Sequence, residues 1–272
     1  EKVKQEIKSL NLSISQRVSV AWCSASSFRN SDFRGGANGA RIRLLPQINW
    51  QSNEPDELAL IFPQYQKISE KFDVSIADII VLAGNTAIEE AIEVSGHKVN
   101  VPFKSGRGDA SSQMTDENSF SSLEPIADGF RNWVKEEAKE NCEEHLLDKA
   151  HLLGLTAPEM TVLIGGMRVL EANHGNSSVG VLTNSPGKLS NDFFVNILSM
   201  DYKWEKVEAN KFKIISRHDN QIKWTASRFD LIFGSNSILR SYAEHYAQDD
   251  NNEKFICDFI CAWNKVMNAD LF

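Results

Sequence analysis

Apolar positions along this chain recur mostly at helical spacing. Residues 13 to 28, 55 to 72 and 75 to 94 each carry an apolar stripe with a period near 3.6 and are predicted as helices. The third opens on Ser75 and Asp78, spaced as a capping box. Residues 34 to 43 hold too much glycine for a helix and are predicted as a loop, and residues 99 to 122, with Pro102, Gly106 and Gly108, as a long irregular connection. Helical spacing resumes near Asp128 and runs, with a break, to Leu153. The best specified helix follows. Thr156 and Glu159 form a Thr-x-x-Glu capping box, Pro158 suits the first turn, and Met160, Leu163, Ile164, Met167 and Leu170 make one stripe. Alternation over Lys211 to Ile215 and Gln221 to Trp224, around Asp219-Asn220, predicts a small antiparallel hairpin. The chain then returns to helix, with Phe255, Phe259, Trp263 and Val266 on one face. No internal repeat or low-complexity linker intervenes, so residues 1–272 read as a single domain.

Composition narrows the class. The chain has 272 residues, 42% hydrophobic and 24% charged, with a formal net charge of −8. The apolar share suffices for a buried core, and no basic run stands against the acidic balance, so nucleic acid is not an expected partner. No apolar run approaches the roughly 20 residues of a bilayer span, and the first residues lack the basic-then-apolar order of a signal peptide. The expectation is a soluble chain with no membrane partner. It opens on Glu1 rather than Met and reads as a fragment of a longer protein. Cys23, Cys142, Cys257 and Cys261 are too few for a disulfide scaffold, so a reducing compartment, the cytoplasm, is the default. A periplasmic address is the alternative, its signal lying in the missing part.

Several local patterns that carry chemistry elsewhere have plainer readings here. Gly35, Gly36 and Gly39 with Arg41 and Arg43 could cradle a phosphate, but the strand-turn-helix context and the Lys-Ser/Thr ending are missing. The glycines read as positive-φ turns. Arg107-Gly108-Asp109 reads as a solvated turn. Cys257 and Cys261 stand one helical turn apart with no clustered His or Cys, and read as two small buried groups. The histidines show no metal-ligand spacing, so no metal is expected.

Longer spellings are far more specific. They include AWCSASSFRNSDFRGGANGARIRLLPQINW at residues 21 to 50, VSIADIIVLAGNTAIEEA from Val74, LTAPEMTVLIGGMRVL from Leu155, RFDLIFGSNSILR from Arg228 and FICDFICAWNKVMN from Phe255. Together, in this order and from about Ile14 to Met267, they resemble the C-terminal half of bifunctional catalase-peroxidases, in class I of the plant, fungal and bacterial haem peroxidase superfamily. Members of that family are built from two homologous peroxidase-like halves, of which the N-terminal one holds haem b. The resemblance implies an all-α, haem-peroxidase-like domain of about ten helices with a small antiparallel β hairpin.

It also implies a degenerate site. The family's distal Trp is Trp22, but its His and Arg positions hold Cys23 and Ser19; Asn53 matches the Asn that orients the distal His. The proximal His position in Gly165-Gly166-Met167 holds Met167, the proximal Trp position holds Leu189, and Asp230 matches the Asp that orients the proximal His. Peroxide cleavage needs an imidazole to take a proton and a guanidinium to stabilise developing charge, and neither is supplied. The family's Met-Tyr-Trp adduct is not available either, because the Met position falls at Leu152 and no Tyr stands between Tyr65 and Tyr202.

The resemblance therefore implies no catalytic, cofactor-binding or metal residues in this domain. Its implied role is a non-catalytic one, supporting the haem-containing N-terminal domain of the same chain. The parent would decompose hydrogen peroxide and oxidise donors in oxidative-stress defence, as a homodimer. Two other classes stay open on sequence: an independent haem protein with Met167 or Cys23 as axial ligand, and a thiol enzyme built on Cys23.

Overall fold

The hydroxyl of Ser13 accepts the backbone N–H of Gln16 while the Gln16 side chain accepts that of Ser13, closing a reciprocal cap on the first long helix. This is a computed structural model, and it describes residues 1–271. The chain is mainly helical, with eleven α-helices and two small antiparallel sheets among the described residues. It divides into two units, Glu1–Pro125 with the segment from Trp263 on, and Ile126–Ala262. No helix of the described residues is long and apolar enough to cross a membrane.

The first unit carries α1 (Lys2–Ser9), α2 (Ile14–Ala25), α3 (Pro55–Phe72), α4 (Ile76–Val94) and the short α5 (Glu117–Ser121). α4 is its apolar centre, with most of its side chains buried, and it packs on α2. The expected capping box at its start forms only in half. Ser75 Oγ accepts the Asp78 N–H, but the Asp78 carboxylate turns to the N–H of Gly106 and the guanidinium of Arg107. The remaining first-turn donors, Ile76 and Ala77, give their N–H groups to Asp109 at 2.8 and 2.9 Å, where the helix dipole favours a carboxylate. Arg107 also donates to the carbonyl of Met267 and to Asn268. Arg107-Gly108-Asp109, expected as a solvated turn, is thus built into this unit, with the Arg107 side chain fully buried.

The Gly-rich loop takes the predicted positive φ at Gly35, Gly36 and Gly39. The Asn38 N–H donates to the Asp270 carboxylate at 2.5 Å, and a Cβ at Gly36 would collide with that side chain. Burial holds the Asp270 carboxyl above its ordinary range, against the opposing pull of the Asn38 N–H and Arg107.

The second unit opens where helix was expected and strand is found. β1 (Ala127–Asp128) and β2 (Trp133–Val134) pair antiparallel around a 3₁₀ turn. The reason is tertiary: the carbonyls of Gly129 and Phe130 accept hydrogen bonds from Arg168, a partner that no local helix provides. α6 (Cys142–Leu152) and α7 (Ala157–Val169) follow, the second started by the Thr156–Glu159 capping box as predicted. After α8 (Asp192–Leu198), the expected hairpin forms the second and third strands of a three-stranded sheet, β3 (Tyr202–Glu208), β4 (Lys211–Ser216) and β5 (Ile222–Ala226), in the order β3-β4-β5. α9 (Arg228–Ser235), α10 (Ser237–Tyr246) and α11 (Asn252–Met267) complete the chain. Along α11 the predicted face of Phe255, Phe259, Trp263 and Val266 is buried, but Cys257 and Cys261 are exposed rather than buried, because they lie on its other side. Cys23 and Cys142 are the buried thiols, and burial with the neighbouring Glu143 carboxylate pushes the Cys142 pKa up to about 12.

Candidate functional site

The proximal positions belong to the second unit. α7 places Gly165, Gly166 and Met167 in successive buried positions. Both glycines are there for space, since a Cβ at Gly165 would overlap the ring of Phe194 and one at Gly166 the ring of Phe259. Overpacking of this kind costs about 1–3 kcal/mol. Gly166→Ala is therefore expected to lower the unfolding free energy by that much, read as a lower urea midpoint with little change in the slope; an unmoved midpoint would mean that α7 and the Phe259 side chain separate freely.

Met167 is fully buried, as is Leu189 in the loop before α8. The next residue, Arg168, is the unexpected feature. Its Nε donates to Asp230 Oδ1 at 2.7 Å, and both side chains are 0% exposed. Its remaining nitrogens donate to the carbonyls of Phe130 and Gly129, each at 2.8 Å. The second oxygen of Asp230 accepts the backbone N–H of Ser227 at 2.8 Å and its hydroxyl at 3.0 Å, capping α9. Asp230 is thus spoken for on both oxygens. The residue that the resemblance assigns to orienting an imidazole instead holds a guanidinium. Sequence reasoning passed over Arg168, yet the signal was present: an Arg inside an apolar stripe needs a buried carboxylate or it carries an unpaired charge.

The distal positions belong to the first unit. α2 carries Ser19, half-buried, and Trp22 and Cys23, both buried. The Trp22 ring lies 6.4 Å from that of Trp263, the planes inclined by 30°. The Cys23 thiol approaches the Ser52 carbonyl at 3.7 Å. Asn53 Nδ2 donates to the Gln47 carbonyl at 2.8 Å, so this amide closes the loop before α3.

At neither set of positions does an imidazole stand. A buried thioether at one set and a buried thiol at the other are the groups available, while Arg168 on α7 is consumed by Asp230 and two backbone carbonyls and Arg17 on α2 is paired with Glu90. This donor set does not fit the pair of histidines that a working peroxidase haem needs. Among the described residues no three His, Cys, Asp or Glu side chains group as a metal site.

Comparison with known proteins agrees with the architecture. A family profile described as Peroxidase matches residues 3–249. The chain is 58% identical over 270 residues to a catalase-peroxidase of Alkalilimnicola ehrlichii, 59% over 272 residues to one of Marinobacter nauticus and 58% over 272 residues to one of Halorhodospira halophila. These alignments take in 99–100% of this chain but 37–38% of each relative, as befits the C-terminal domain of a longer chain. The chain belongs to the peroxidase family, and within it forms a domain of the catalase-peroxidase type.

Proposed function

We propose that this is a haem-free, non-catalytic domain that supports the haem-bearing part of its parent, and that the parent removes hydrogen peroxide and oxidises electron donors in oxidative-stress defence. The observation that carries the reading is the Arg168–Asp230 pair. A carboxylate that must hold an imidazole during turnover cannot also be the sole buried counter-charge of an arginine. Losing the buried His and Arg of a peroxidase site removes polar groups that would have no partner without a haem. In this reading Ser19, Cys23, Asn53, Met167, Leu189 and Asp230 keep structural roles only.

The parent's N-terminal domain is the natural partner, since the three relatives compared are all much longer than this chain. A homodimer of the parent and a cytoplasmic setting complete the proposal. The test is a haem titration of the purified 272-residue chain, followed by its visible spectrum and a peroxide-consumption assay. The expected result is no saturable Soret band and no turnover. A one-to-one complex with a sharp Soret band would overturn the reading, and its position would tell whether sulfur from Met167 or Cys23 holds the iron.

A further inference from the structure

Two thiols expected inside the core stand outside it. The apolar stripe of α11 through Phe255 and Phe259 turns inward, which leaves Cys257 and Cys261 exposed on the far side of the helix. Placed there, the pair is defined by its thiol chemistry rather than by packing.

Spacing sets the first limit on that chemistry. Residues four apart on a helix share a face, with Cβ atoms about 5–6 Å apart, whereas a disulfide needs about 3.5–4.5 Å. An intact α11 therefore keeps the pair as a dithiol. Two sulfurs bonded to one soft ion at about 2.3 Å each stand up to about 4.6 Å apart. Side chains leaning together from helical spacing reach that span.

The neighbouring donors set the second limit. Asp258, between the two cysteines in sequence, is turned to other partners: its Oδ2 accepts the Lys254 ammonium at 2.6 Å and the Tyr246 hydroxyl at 2.8 Å. Among the described residues no three His, Cys, Asp or Glu side chains group as a metal site. The four ligands of a structural zinc site are thus not supplied. A bare pair of thiolates suits a soft ion content with two ligands, and monovalent copper is that ion.

We infer that Cys257 and Cys261 form a two-coordinate site for monovalent copper on the outer face of α11. Each thiol gives its proton to solvent as the ion binds, so two thiolates hold it and nothing is oxidised or reduced. The inference is independent of the supporting role and of the degenerate peroxidase positions.

The test titrates the intact parent, without oxygen, with monovalent copper delivered as its bathocuproine disulfonate chelate, whose colour reports the copper not yet taken up. The parent is expected to bind one equivalent more than the variant carrying both Cys257→Ser and Cys261→Ser. Each single variant is expected to bind at least about 10–100-fold more weakly, the loss that even an outer partner of a metal causes. X-ray absorption of the ion gained is expected to show two sulfur neighbours and no third ligand. Equal uptake by the parent and the double variant would overturn the inference, as would single variants as tight as the parent. One ion per two chains would overturn it too, by placing thiols of two copies on the metal. Zinc alone is expected to bind the parent and the double variant equally; a zinc site lost with the two cysteines would defeat the two-coordinate assignment. Both changes lie on an exposed helix face, and an unaltered far-ultraviolet spectrum is expected of all three variants.

Discussion

Arg168→Ala is expected to destabilise the chain by about 3–5 kcal/mol, the cost of leaving one member of a buried ion pair without the other. That is a large part of the roughly 5–15 kcal/mol that holds a typical domain, so the variant is expected to be largely unfolded at moderate urea. Three losses coincide: the Asp230 carboxylate stays buried without its counter-charge, and the carbonyls of Gly129 and Phe130 lose their donor. The last two tie the 3₁₀ turn between β1 and β2 to α7, so that turn is expected to open first, with early loss of amide protection over residues 127 to 134. Asp230→Asn is expected to cost less, because an amide oxygen still accepts the Ser227 N–H and Arg168 keeps its two carbonyls. Urea melts of the two single variants and the double variant give the coupling directly. A loss under about 1 kcal/mol for Arg168→Ala, or no coupling with Asp230→Asn, would show that water reaches the pair and that it does not lock the unit.

In the proposed reading, the pair also accounts for how a peroxidase framework does without a proximal imidazole. An aspartate in this buried place needs a positive or hydrogen-bonding partner whatever the domain does. Arg168, one residue along α7 from Met167, supplies it from the same helix that would carry a proximal histidine. The framework is retained and the charge balance is closed locally.

Legibility of the sequence followed the range of the interactions. α7 was readable because its cap lies within four residues of chain and its stripe is uninterrupted. The Gly-rich loop was readable because positive φ is a property of glycine itself. The strands β1 and β2 on either side of the 3₁₀ turn at residues 129–131 were misread as helix, because a donor that holds that turn, Arg168, is 38 and 39 residues away in sequence. β3 was missed for a similar reason: Tyr202–Glu208 puts both aromatics on one face but charges on both, and its pairing with β4 completes the strand. The cysteines of α11 were misread with the information in hand, since Cys257 and Cys261 fall on the far side of the helix from Phe255, Phe259 and Trp263. The proposed degenerate positions rest on resemblance alone. No composition or spacing singles out Leu189 or Asn53.

Trp22→Ala is expected to cost about 3–5 kcal/mol, the range for deleting a large aromatic side chain from a packed interior. Trp22 is fully buried against Trp263, whose Nε1 donates to Asn85 Oδ1 at 2.8 Å, so the two indoles and α4 form one packed set within the first unit. Removing one ring leaves a void that α2 and α4 cannot close without moving Trp263 off its hydrogen bond. Trp22→Phe keeps most of the volume and is expected to lose less than half as much. The contrast bears on why this residue persists beside Cys23 and Ser19, which do not match the active pattern. A tryptophan retained for chemistry would show its loss in activity and little in stability; one retained by packing shows the reverse. Equal, small stability losses for Trp22→Ala and Trp22→Phe in urea melts would defeat the packing account and reopen a chemical role for the distal positions.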